Sequence, residues 1–169
     1  MRDRDPAGRP RNARPRDVLG RPLDRGGSDA ARIPDDLTLA GPEAARLADR
    51  LLREGRPFHA HEVLEASWKT GPAGERDLWQ GLAQIAVGLT HAHRGNARGA
   101  VALLTRGAQR VRAYQGQACD SADRDRPYGI DLAAVLAACD DLAARIGRDG
   151  LEGIPPGDLR PGLMADSGR

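Results

Sequence analysis

Apolar residues recur along this chain at spacings of three and four and nowhere in sustained alternation, so the pattern predicts helices and no sheet. In GPEAARLADRLLREG, Ala44, Leu47 and Leu51 form one stripe. Pro42 suits a first turn, Glu43 favours the positive end of the helix dipole, and Gly55 ends the run. A second helix is predicted from near Pro57 to the break at Gly71 and Pro72. A third runs from about Gly74 to Arg94, with Leu78, Leu82, Ile85 and Leu89 on one side. Asn96 is placed to cap a fourth helix, whose face is Ala100, Leu103, Leu104, Gly107 and Val111. Asp131 is placed to cap a fifth, bearing Leu132, Val135, Leu136, Cys139, Leu142 and Ile146. Five helices with short connections give an all-α fold, a compact bundle. A lone echo of a tetratricopeptide unit cannot make a solenoid, which needs about three stacked repeats to bury its core.

The tails follow a different rule. Residues 1–33 alternate Arg, Asp, Pro and Gly with too few apolar side chains to offset the entropy of ordering, so they are expected to be a disordered arm. The helical domain then spans 34–150. Residues 151–169 form a second Gly- and Pro-rich tail, which either drapes over the fold through Ile154, Leu159 and Leu163 or hangs free. Aromatic residues are only 3% of the chain, so the core must be built from Leu, Ala, Val and Ile, which suits close-packed helices.

Charge changes the picture little. The net charge is +2, and every basic side chain except Lys69 is an arginine, which reads as GC-rich coding bias rather than a nucleic-acid surface. Cys119 and Cys139 stand far apart with no CxxC spacing, so neither a disulfide framework nor a zinc knuckle is implied. No apolar run reaches membrane-spanning length, and no hydrophobic stretch follows the charged start. A cytoplasmic protein with reduced thiols is expected.

The candidate chemistry lies in residues 58 to 68, FHAHEVLEASW. Projected at about 100° per residue, Leu64, Trp68, His61, Glu65 and Phe58 share an arc of roughly 120°. This arc is expected to face the core, with Val63 and Ser67 opposite, Glu62 at its edge and His59 and His93 toward solvent or the rim. A buried carboxylate needs partners, and the third helix offers Gln80, Gln84 and His91 on one strip. Beside that strip runs a row of small residues, Gly81, Gly88 and Ala92, which lets another helix approach and would bring His61 and Glu65 within reach of Gln84 and His91.

The span Phe58, His61, Glu62, Glu65, Trp68, followed by WQGLAQIAVGLTHAHRGN and ARGAVALL, resembles the DUF309 family over roughly residues 43 to 115. That resemblance implies a small all-helical domain of unknown function with an HxxxExxW motif suggested to bind metal. His61, Glu65 and Trp68 match the motif position by position. The cofactor so implied is a divalent metal ion held by His61 and Glu65; on the helical projection Glu62 and His91 could complete three or four ligands, with water filling any gap.

Several readings stay open. His61, Glu65 and Gln84 can form a buried hydrogen-bond network that fixes helix register, lined by Phe58, Trp68 and Gln80. His61 and Glu65, with Glu62 and His91, can hold a metal, or His61 can act as a general base oriented by Glu65, although no nucleophile motif names a reaction. A fourth reading is a non-catalytic adaptor whose Arg98, Arg106, Arg110 and Arg112 meet an acidic protein partner; a homo-oligomer is left open, and nucleic acid and membrane are not expected. Trp79 and Tyr114 read as packing residues.

Overall fold

Proline opens both of the first two helices, Pro42 in α1 (Gly41–Arg53) and Pro57 in α2 (Pro57–Thr70), where its missing N–H costs no helical hydrogen bond. A 3-10 turn at Ala73–Glu75 leads into α3 (Arg76–His93). The next two helices start on side-chain caps. Asn96 Oδ1 accepts from Gly99 N at 2.9 Å to begin α4 (Ala97–Gly116), and Asp131 Oδ1 accepts from Ala134 N at 3.0 Å to begin α5 (Leu132–Asp149). The structure, a computed structural model, describes residues 15–24, 33–34, 36–117 and 124–165. Among them there are five α-helices and no strand, an all-α bundle.

α3 is the centre. It packs against α2 on one side and α4 on the other, while α1 lies against α2 and α5 against α4. Leu78, Trp79, Leu82, Ile85 and Leu89 of α3 are buried with Leu52, Leu64 and Leu104 of its neighbours. Fully burying each such side chain contributes about 1.5–3 kcal/mol, which sets the scale against which surface pairs are judged. α3 and α4 form an antiparallel hairpin: Gly81 faces Gly107 and Val111, and Gly88 faces Ala100 and Leu104. The expected small-residue row therefore does admit a helix, but that helix is α4 and not α2. The reason lies on both partners, since a Cβ on Gly107 would lie 2.7 Å from the Gly81 carbonyl oxygen, so a glycine on each side is needed for the backbones to meet.

The C-terminal segment drapes. Ile154 and Leu163 are buried. Asp49 Oδ1 of α1 accepts from Leu163 N at 2.6 Å and Met164 N at 2.9 Å, and Leu163 O accepts from Asp131 N at 2.9 Å. Within the span expected as an arm, residues 15–24 fold into a tight turn that rests on the domain and Ile33 packs against the core, as do Leu37 and Leu39 just after it. The rest of that arm, residues 1–14 and 25–32, and the chain end 166–169 lie outside the described residues, as does Cys119. Cys139 is buried, and burial foremost, with Asp140 beside it, pushes its thiol up to about 12, so it stays an unreactive thiol.

Candidate functional site

The motif helix α2 is turned differently from expectation. Its buried side chains are Pro57, His59, Ala60, Val63, Leu64 and Ser67, whereas Phe58, His61, Glu62, Glu65 and Trp68 are half-buried. The core face is thus rotated by about 120° from the projected one. Val63 and Ser67, assigned to the far side, are inside, and His59, assigned to solvent or the rim, is 1% exposed. The physical cause is packing distance: Ala60, Val63 and Ser67 are small enough to let α1 and α3 approach α2 on two sides, while the large Phe58 and Trp68 cover the seam from outside. Ser67 satisfies its hydroxyl by donating to Val63 O at 3.1 Å.

His61 and Glu65 consequently sit at the rim of the core. His61 Nε2 lies 3.5 Å from Glu65 Oε2, and Lys69 Nζ lies 2.7 Å from Glu65 Oε1, with the three side chains 25%, 35% and 56% exposed. One carboxylate is shared by two bases at i−4 and i+4, a ladder along one helix face. Burial pushes the His61 imidazole below its ordinary value of 6.5. The Glu65 carboxylate offsets part of that effect and Lys69 adds to it. Phe58 stands beside them, its ring centroid 6.1 Å from that of His61 and 5.8 Å from that of His59. Lys69 Nζ lies 6.0 Å from the Trp68 ring centroid.

The other expected partners go elsewhere. Gln80 Oε1 accepts from Arg110 Nη1 of α4 at 2.7 Å. His91 Nδ1 is 2.8 Å from Asn96 Nδ2 at the start of α4. No hydrogen bond joins His61 to Gln84: His61 Nδ1 and Gln84 Oε1 are both buried and both lack a hydrogen-bond partner. His93 Nε2 lies 3.2 Å from Leu159 O, under the C-terminal segment. Among the described residues no three His, Cys, Asp or Glu side chains gather as a metal-binding group. Of the four expected ligands, His61 and Glu65 are brought together among the described residues, and that carboxylate also holds the Lys69 ammonium group. On α4, Arg110 is bonded to Asp77 and Gln80, and Arg112 to Asp140, so two of the four arginines of the adaptor reading are engaged within the fold.

Sequence reasoning missed two arrangements. Glu75 accepts from Trp79 Nε1 at 2.9 Å and from Tyr128 Oη at 2.6 Å, while the Trp79 and Tyr128 rings stack with centroids 5.5 Å apart. The i, i+4 spacing of Glu75 and Trp79 was a usable signal; Tyr128 had none. The second is a cleft of about 290 Å³ on the outer face of α2, lined by Glu62, Glu65, Ala66 and Lys69 together with Ile33 and Pro34 from the segment before α1.

Comparison with known proteins agrees with the motif. Residues 46–103, from within α1 to within α4, match the model of the family described as Domain of unknown function (DUF309). Over 61 residues the chain is 39% identical to the Uncharacterized protein YpuF of Bacillus subtilis (strain 168). That stretch is 36% of this chain and 33% of YpuF, so the chain spans about a third of the length of this curated relative. No solved structure matches.

Proposed function

We propose that the DUF309 segment of this chain is a non-catalytic helical interaction module. In it His61, Glu65 and Lys69 form a polar ladder on the outer face of α2, in place of the metal centre or acid–base pair that the motif could also supply. The observation that carries this reading is the sharing of Glu65 between His61 and Lys69. A metal would have to displace the lysine ammonium from the carboxylate and then recruit further donors, and Gln80 and His91 are committed to α4 and its cap. Magnitudes also argue against a purely architectural role. Half-exposed i, i+4 pairs are worth about 0.3–0.5 kcal/mol each, small beside the buried leucines of α3, so the ladder adds little to fold stability. A polar face with an aromatic at one end, a lysine at the other and a cleft beside it suits recognition better than support.

The test is elemental analysis of the purified full-length protein and of its His61→Ala variant. The module reading expects substoichiometric metal in both and little loss of stability in the variant. One metal ion per chain, lost on substitution, would overturn it in favour of a metal site at His61 and Glu65.

A further inference from the structure

The face of α2 that carries the motif already holds a ligand, and that ligand is the chain itself. Residues 15–24 make a turn held together by hydrogen bonds of its own. Asp17 Oδ1 accepts from Leu19 N at 2.9 Å and Arg21 N at 2.8 Å, Asp17 O accepts from Gly20 N at 2.8 Å, and Pro15 O accepts from Leu23 N at 2.7 Å. A unit closed on itself in this way keeps these bonds when it leaves, and gives up the bond from Arg94 to the Leu19 carbonyl, which water can replace.

Three features seat it. The Arg16 guanidinium lies 5.4 Å from the Phe58 ring centroid. Gly20, buried at φ +72, lies flat on the same ring, and a Cβ there would come within 2.6 Å of the ring Cε2. Leu19 O accepts from Arg94 Nε at the end of α3, at 2.7 Å. Val18 at the tip of the turn is 52% exposed, so the contact is made through the arginine and the glycine and not by burying the valine. Further along the same helix face, Ile33 and Pro34 line the cleft beside Glu62 and Glu65.

We propose that the Phe58 ring on the motif-bearing face of α2, with Arg94 at the end of α3, is a docking surface for a polypeptide turn of a protein partner that presents an arginine four residues before a glycine, and that residues 15–24 occupy it in cis as a displaceable plug. This rests on the interaction-module reading and names the chemistry of the partner. Arginine supplies the charge that stacks on Phe58; glycine alone allows both the left-handed backbone and the close approach. A tethered segment presents itself at about millimolar effective concentration, so the plug hides the face from weak competitors and yields to strong ones.

The experiment uses full-length protein carrying Gly20→Val, a change confined to the turn, with circular dichroism to check that the helices keep their melting transition. Hydrogen exchange at the Leu23 amide reports whether the turn has opened, and a fluorescently labelled synthetic peptide with the sequence of residues 15–24 is the probe. The peptide is expected to bind the variant about tenfold or more tighter than wild type. It should lose that binding when it carries valine at the position of Gly20, or when the protein also carries Phe58→Ala. Unchanged exchange at Leu23 in the variant, equal binding to both proteins, or binding that survives valine in the peptide overturns the proposal. A wild-type dimer that dissociates on Gly20→Val overturns it too, by assigning the face to the arm of a second copy. A metal-free protein that ignores the peptide sinks the docking surface alone, whereas a stoichiometric metal at His61 and Glu65 sinks the module reading whatever the peptide does.

Discussion

Replacing Gly107 by alanine tests the closest contact in the fold. A Cβ on Gly107 would lie 2.7 Å from Gly81 O, 2.8 Å from Ile85 Cγ1 and 2.9 Å from Ile85 N. Two of those three atoms are backbone and cannot swing aside, so α3 and α4 must separate along a seam that buries Ile85, Leu89, Leu104 and Val111. Overpacking of this kind costs about 1–3 kcal/mol. Against it stands the helix propensity of alanine over glycine, about 1 kcal/mol. The expected net result is a loss of about 0–2 kcal/mol. Gly147, within α5, is the internal control, because a Cβ there meets nothing within 4 Å. Gly147→Ala should keep the propensity gain and stabilise by about 0.5–1 kcal/mol. Urea denaturation followed by circular dichroism, with unchanged slopes, measures both. If Gly107→Ala proves as stable as Gly147→Ala, the two backbones do not meet as described.

Glu75→Ala should cost about 2 kcal/mol, since it leaves the buried Trp79 N–H and the Tyr128 hydroxyl without their acceptor, and Tyr128→Phe should cost about 1 kcal/mol, both read by urea denaturation. Burial foremost, then the Glu75 hydrogen bond and charge, push Tyr128 up to about 12; ultraviolet titration should find its pKa lower in Glu75→Gln. His61 gives a pH signature: its folded pKa lies below the ordinary 6.5, so below that pH the unfolded chain takes up a proton that the folded one resists. Stability should fall as pH drops from 6.5 to the lower folded value, a slope that His61→Asn removes from urea midpoints measured across the window; an unchanged slope would contradict the burial of the ring. Asp49→Ala should release the C-terminal segment, with faster hydrogen exchange at Leu163 and Met164 and a loss of about 1–3 kcal/mol.

The five helices were legible because their signals are local: Pro42 and Pro57 at first turns, and Asn96 and Asp131 as caps that make the hydrogen bonds their positions imply. The orientation of α2 was not. A projection weighted by the bulk of Phe58 and Trp68 points those residues inward, whereas the helix buries Ala60, Val63, Leu64 and Ser67 because two neighbours must come close. The small-residue row of α3 could be read from Gly81 and Gly88, but its partner is fixed by Gly107 on a different helix, a pairing that no spacing within α3 encodes. With α2 rotated and α4 on the row, Gln80 and His91 went to Arg110 and Asn96 and not to His61 and Glu65. The turn at 15–24 escaped notice because its stability comes from the Asp17 side chain and a glycine seated on a distant ring, and composition registers neither.

The most direct measurement is the coupling between His61 and Glu65, obtained from a double-mutant cycle to alanine in the full-length protein with and without excess zinc. A polar ladder gives a coupling of about 0.5 kcal/mol or less that zinc leaves unchanged. A metal site gives a coupling that grows by about 2.7 kcal/mol once free zinc reaches a hundredfold its dissociation constant, and that result would contradict the ladder.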